Sequence, residues 1–243
     1  MAEAGGRRRH CQRVMKKIHN GVHGAVSTPV KISGAKFILG AAKAAQFPEW
    51  DLPEIAFGGR SNVGKSSLLR VLAGSRRLVR VSRTPGRTQE VNFFRLRLDD
   101  TDCAFVDLPG YGYAKVPGRV KQVWGRLVEQ YFAERAQLAG LVLLIDARRT
   151  PEEAELELYR YLGDLSRPCL PVYTKIDKLP KTKRDNILWR SHKALGAGGK
   201  PQGFSALTGE GADAVVARLR GLVRQQVERT AGLPLILPPG EPD

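Results

Sequence analysis

From residue 53 onward, short apolar runs alternate with longer stretches whose apolar residues recur at helical spacing, the pattern of a mostly parallel sheet covered by helices. Strands are predicted over 54–57, 91–98, 103–107, 141–146, 170–174 and 203–205, and helices over 66–72, 120–135, 152–165, 183–195 and 212–228. The runs 91–98 and 103–107 are separated by Asp99-Asp100-Thr101-Asp102, too short for a crossover, so this pair is predicted to be an antiparallel hairpin within the sheet. The expected fold is therefore α/β, a mostly parallel six-stranded sheet with one antiparallel strand and helices on both faces. It occupies residues 31–229, and the Leu-Pro-Leu-Ile-Leu-Pro-Pro-Gly run falls in an irregular Pro-rich tail over 230–243.

Residues 1–30 depart from this pattern. They carry Arg7, Arg8, Arg9, Arg13, Lys16 and Lys17 against the single acid Glu3, with no sustained apolar period, and are expected to form a mobile basic arm. Such an arm reads as a solvated extension, as a polyanion-binding segment or, being Arg-rich and acid-poor, as an organelle transit peptide. Met15 is a second possible start, and loss of residues 1–14 would still leave a net charge of +13 out of +16, so the folded part is basic as well. An excess of 40 Lys and Arg over 24 Asp and Glu points to a polyanionic partner rather than to a fold.

Composition otherwise narrows the class. With 42% hydrophobic and 26% charged residues the chain resembles an ordinary globular protein, which argues against wholesale disorder or a fibrous repeat. No stretch approaches the roughly 18 apolar residues of a membrane span, and no secretory signal is evident, so a cytoplasmic protein without membrane contact is expected. Cys11, Cys103 and Cys169 are far apart and outside any CxxC spacing, which argues against a disulfide framework and against zinc.

The chemistry lies at strand ends. Gly59-Arg60-Ser61-Asn62-Val63-Gly64-Lys65-Ser66 is a full G-x-x-x-x-G-K-S between a predicted strand and a predicted helix. Its glycines let backbone N–H groups wrap around phosphates, Lys65 reaches the β and γ phosphates, and Ser66 is placed to ligate Mg²⁺. Asp107-Leu108-Pro109-Gly110 follows 42 residues beyond Lys65, with Asp107 placed for the Mg²⁺ shell and Gly110 for the γ-phosphate. Thr174-Lys175-Ile176-Asp177 lies 70 residues after Asp107 and resembles a base-recognition motif: the Asp177 carboxylate can accept from guanine N1–H and the exocyclic amine, while the Lys175 stem can cover the purine. A helix N-cap is the plainer role for that aspartate. Ser205-Ala206-Leu207, 28 residues later and after Phe204, matches a turn whose backbone N–H meets guanine O6. Four motifs in this order select GTP over ATP.

These residues, with Thr84-Pro85-Gly86-Arg87-Thr88-Gln89 and Asp107-Leu108-Pro109-Gly110-Tyr111-Gly112-Tyr113-Ala114-Lys115, resemble the translation-factor-related P-loop GTPases, and within them the EngB family of ribosome-biogenesis GTPases. The likeness covers about residues 35–225. It implies a Ras-like G domain, a monomer that binds GTP and GDP, Mg²⁺ as cofactor, and a role with the large ribosomal subunit or its rRNA-containing precursor and in cell division. By position it makes Thr88 the switch I threonine that ligates Mg²⁺ beside Ser66 and Asp107, puts Tyr111–Lys115 in switch II, and extends the nucleotide site to Ser67, Gly86, Arg87 and Gln89. Neighbouring families that modify tRNA or target proteins usually carry a further domain for which this chain has no room. A passive RNA-binding protein with a degenerate site is opposed by the intact Lys65, Ser66, Thr88, Asp107 and Asp177.

Several residues modify this picture. Tyr111 stands where small signalling GTPases often place a water-orienting Gln, so intrinsic hydrolysis is expected to be slow, with catalysis left to Lys65, Thr88, the metal and Asn62. Asn62 matches the asparagine that helps coordinate K⁺ in cation-stimulated relatives, or shapes the loop through side-chain to backbone hydrogen bonds. Trp50, Trp124 and Trp189 are expected to be buried in the core or half-buried rather than to stack on bases. His192 has no metal partner in sequence, and Arg148 and Arg149 are expected in a solvated loop.

Overall fold

The computed structural model describes residues 32–74, 90–111 and 120–232, with side chains of the last span from residue 125. Its strands are β1 (Ile32–Ala41), β2 (Glu54–Gly59), β3 (Val91–Leu98), β4 (Thr101–Asp107), β5 (Leu138–Asp146), β6 (Cys169–Thr174) and β7 (Gln202–Phe204). Its helices are α1 (Lys65–Ala73), α2 (Val120–Glu134), α3 (Glu153–Asp164), α4 (Lys181–Ala194) and α5 (Ala212–Ala231). Every predicted strand and helix is present, with ends moved by a few residues. The one correction is the strand count: the sheet has seven strands, in the order β1-β3-β4-β2-β5-β6-β7, because Ile32–Ala41 adds an edge strand that the expected six lacked. It pairs antiparallel with β3, β3 pairs antiparallel with β4, and all other pairings are parallel, so β3 is the single reversed strand.

Strands β2, β5 and β6 bury nearly every residue, as expected for a parallel sheet covered on both faces. On one face Leu68, Leu69 and Leu72 of α1 pack with Val215, Val216, Leu219, Leu222 and Val223 of α5 over Ile55, Phe57, Phe105 and Val142. On the other, Val128, Tyr131 and Phe132 of α2, Leu158 and Leu162 of α3 and Leu188 of α4 cover Ala56, Phe93, Val106 and Leu141. At the N-terminal end of β2, Glu54 is fully buried and fully satisfied: it accepts from the Arg135 guanidinium (2.6 Å at its shortest), the Tyr131 hydroxyl (2.9 Å) and Trp50 Nε1 (2.7 Å). The Tyr131 hydroxyl is pushed well up by burial and by that carboxylate. Cys103 and Cys169 are free and buried, and burial raises both thiols, that of Cys103 to about 12, so neither is poised as a nucleophile.

Parallel pairing brings the C-terminal ends of β2, β4, β5, β6 and β7 to one edge, which is where loops of such sheets bind ligands.

Candidate functional site

The loop after β2 turns sharply into α1. Asn62 (φ 64°) and Gly64 (φ 111°) both take positive φ, which Asn tolerates and Gly favours. Val63 is buried, and the loop backbone opens α1 through Gly64 as its N-cap. From the neighbouring strand end, Lys65 Nζ forms an ion pair with the Asp107 carboxylate, and both side chains are largely buried. A cation thus already neutralises Asp107 where the phosphate-binding loop meets β4.

Residues after β4 are fastened to this loop by main-chain bonds. Ser61 N–H donates to Tyr111 O (2.9 Å), Tyr111 N–H donates to Gly59 O (3.3 Å), and Leu108 N–H donates to Phe57 O (3.0 Å). Gly110 passes so close to Ser61 that a Cβ there would lie 3.2 Å from Ser61 Oγ and 3.3 Å from its Cα. The Tyr111 ring is buried in the core, and its hydroxyl donates to Glu155 Oε1 of α3 (3.1 Å). Burial raises the Glu155 carboxyl, against hydrogen bonds from its own helix start and from Tyr111. Alongside, Arg60 pairs with Glu152, the residue that caps α3. The phenol therefore points into the protein and cannot orient a water over the loop.

The end of β6 is tied to the same loop. Thr174 Oγ1 donates to Val63 O (2.6 Å), and Lys175, in the left-handed region at φ 60°, donates through Nζ to Asn62 O (2.7 Å) and to Asp146 Oδ2 (3.0 Å). Asp146, at the end of β5, also accepts from the Arg148 fork (2.9 and 2.7 Å) and the Arg148 N–H (3.1 Å). Partial burial pushes its carboxyl up, but these donors outweigh burial and hold it well below the usual range. Asp177 follows on a short 3₁₀ turn, Ile176–Lys178, and accepts from Ser205 Oγ (2.7 Å), which with Lys178 lowers its carboxyl. Ser205 is buried, and its oxygen also accepts from the N–H groups of Leu207 (3.3 Å) and Thr208 (3.2 Å), locking the turn against Asp177. Ala206 is exposed on that turn, and its N–H makes no hydrogen bond among the described residues.

Thus Gly59 to Ser67, Asp107 to Gly110, Thr174 to Asp177, and Ser205 with Ala206 converge on one edge. Phe204, Leu108 and Ile176 have core side chains, leaving only their backbones to face a ligand. Gly86, Arg87, Thr88 and Gln89 lie outside the described residues, as do Gly112 to Lys115, the basic arm and all but the first residues of the Pro-rich tail. Three participants were not read from sequence: Asp146, Glu152 and Glu155. Asp146 had a signal, an acid ending an apolar strand directly before Ala-Arg-Arg. His192 is buried between Tyr173 Oη and Gly198 O (3.2 Å each), and no group of three or more His, Cys, Asp or Glu among the described residues could hold a metal.

A phosphate loop, an aspartate at the neighbouring strand end and a base motif bonded back to that loop define a P-loop GTPase. A family model described as "50S ribosome-binding GTPase" matches residues 54–175, from the start of β2 to Lys175. The curated relatives are more specific: a probable GTP-binding protein EngB of Syntrophotalea carbinolica is 48% identical over 78% of this chain and 91% of its own length. One of Geobacter sp. (strain M21) is 45% identical over 84% and 94%. The chain belongs to the EngB family of GTP-binding proteins and is a GTPase. A crystal structure of a probable GTP-binding protein EngB shares the fold, with a TM-score of 0.51 at 23% identity over 71% of this chain and 99% of that one.

Proposed function

We propose that this GTPase is a nucleotide-dependent switch in assembly of the large ribosomal subunit, with slow hydrolysis of its own. The observation that supports the switch is the pair of main-chain bonds between the phosphate loop and Tyr111, through which order around a γ-phosphate at Gly110 would reach Tyr111 itself. Slow hydrolysis follows from the inward phenol. The ribosomal role is supported by the family description and by the net charge of +16.

In this reading the N–H groups of residues 59–67 and Lys65 hold the phosphates, Asp177 reads guanine N1–H and its amine, and the Ala206 N–H meets O6. Gly86 to Gln89 belong to the site by the family resemblance of their motif. Ser66, Asp107 and Thr88 would hold Mg²⁺, a set of hard oxygen donors that suits it, and Asp107 already attracts a cation. Bound Mg²⁺ neutralises phosphate charge. Lys65, paired with Asp107 in this structure, would reach the phosphates once Asp107 held the metal. Asn62 is exposed and its side chain makes no hydrogen bond among the described residues, which leaves its amide oxygen available to K⁺. Hydrolysis should run faster in K⁺ than in Na⁺ at equal ionic strength and lose that difference in Asn62→Ala; equal rates in both salts would remove K⁺ from the site.

The deciding experiment is co-sedimentation with large ribosomal subunits under GDP and under a non-hydrolysable GTP analogue. Retention that favours the GTP analogue is expected. Equal retention under both nucleotides, or none, would overturn the proposal.

A further inference from the structure

Helix α4 buries little apolar surface and exposes one large ring. Its buried positions are Leu188, Ser191 and His192, a narrow and partly polar face, while its largest apolar side chain, Trp189, is 50% exposed. The sequence expects this ring in the core or half-buried, and half of it is exposed. It is nevertheless not loose: the indole meets the His192 imidazole edge-on (centroids 6.2 Å apart, planes at 88°), and that imidazole is fixed by Tyr173 and Gly198.

Cations share the solvent side of the helix with the ring, while Asp185 lies one turn before it. Lys183, Arg190 and Lys193 are exposed on the same side of the helix, Lys193 one turn after Trp189, and Lys181 opens the helix. None of the four has an ion-pair partner among the described residues, whereas Arg184, the remaining cation of the helix, is taken by Glu210 at 2.6 Å. Asp185 is the only acid on the helix. Exposed Trp flanked by unpaired Arg and Lys combines a stacking platform with phosphate neutralisation.

We infer that the solvent face of α4, centred on Trp189 with Lys183, Arg190 and Lys193, is a binding surface for an unpaired RNA segment. The indole takes a base face and the three cations take the flanking phosphates. Duplex RNA fits less well, because its bases are already stacked and its deep groove is closed to side chains. The inference deepens the ribosomal reading and rests on it for the source of the RNA, though not for the chemistry.

The test uses the full chain loaded with a GTP analogue and a fluorescently labelled short oligouridylate, read by anisotropy, with large-subunit co-sedimentation run in parallel. Trp189→Ala should weaken oligouridylate binding roughly ten-fold, the effect of losing one stacked base, while Trp189→Phe keeps most of it. Arg190→Ala with Lys193→Ala should flatten the salt dependence by about two phosphates' worth. Guanine nucleotide affinity should be unchanged in all of them, which verifies folding. Oligouridylate affinity in Trp189→Ala equal to that of the unaltered chain overturns the surface, and if subunit retention falls in the same variant the face takes a protein instead. If Trp189→Ala loses oligouridylate while the unaltered chain never sediments with subunits, the RNA surface stands and the ribosomal reading fails.

Discussion

At position 111 the phenol's partner is a buried carboxylate on another helix rather than solvent. Tyr111→Phe removes the hydroxyl that donates to Glu155, and leaving a buried charge short of a donor costs about 1–3 kcal/mol. Burial already raises the Glu155 carboxyl above its ordinary value of 4.5, and loss of the phenol should raise it further. A carboxyl raised in the folded state adds stability only when protonated, so the variant's deficit should be full at neutral pH. It should narrow as pH falls through the folded-state value and close below about 4.5. Urea unfolding across pH measures this; a deficit independent of pH would show that Glu155 is not the group involved. The Asp177 carboxylate is held ionised first by the Ser205 hydroxyl. Asp177→Asn should weaken GTP binding and shift preference toward xanthosine nucleotide, whose C2 oxygen suits an amide donor. Fluorescent-nucleotide titration checks it, and unchanged GTP affinity would remove Asp177 from the base site. The motif residues themselves were legible because their spacing and strand-end positions recur in sequence. Glu155 was not, since the Tyr111–Glu155 contact joins elements 44 residues apart that only folding brings together.

Among the elements, the strands with continuous apolar runs were read within a few residues of their ends, and β1 was missed for a physical reason. Its inward positions, Ala35, Phe37, Leu39 and Ala41, do alternate, but the outward set contains Ile38 and two glycines, and the pairing with β3 shifts register twice. A period of two is blurred by an apolar residue on the wet face. The same sheet depends on one ionic element that apolar patterning does not reveal. Arg135, just beyond α2, reaches Glu54 at the start of β2 and also donates to Pro48 O (2.6 Å), binding helix, strand and preceding loop together. Glu54 is fully buried, so Arg135→Ala leaves a carboxylate without its counter-charge and should destabilise the fold by about 3–5 kcal/mol in denaturant unfolding. Adding Glu54→Gln should recover part of that loss. A single variant within about 0.5 kcal/mol of the unaltered chain would mean that Tyr131 and Trp50 suffice.

For the whole molecule, charge and shape divide the work. The net charge of +16 was plain in the sequence, but its arrangement was not: Arg60, Arg95, Arg135, Arg148, Arg184 and Arg220 are taken by internal acids, while the solvent face of α4 keeps its cations free. Residues 1–24 contribute six of the positive charges against one negative, a net loss of five on removal. Lys and Arg that neutralise phosphates release counterions, so affinity for ribosomal RNA should fall steeply with salt under either nucleotide. That term cannot tell GTP from GDP. In the proposed switch, nucleotide dependence comes from a surface coupled to the γ-phosphate, and the main-chain bonds of Tyr111 to Gly59 and Ser61 support a source in the G domain rather than in the arm. Deleting residues 1–24 should therefore weaken binding to large subunits and reduce its salt dependence, while leaving the ratio of GTP-state to GDP-state retention unchanged within error. Co-sedimentation at several salt concentrations measures both quantities. A truncated chain that keeps its affinity but loses the nucleotide ratio would show that the arm reads the switch, and the coupling assigned to Tyr111 would have to be abandoned.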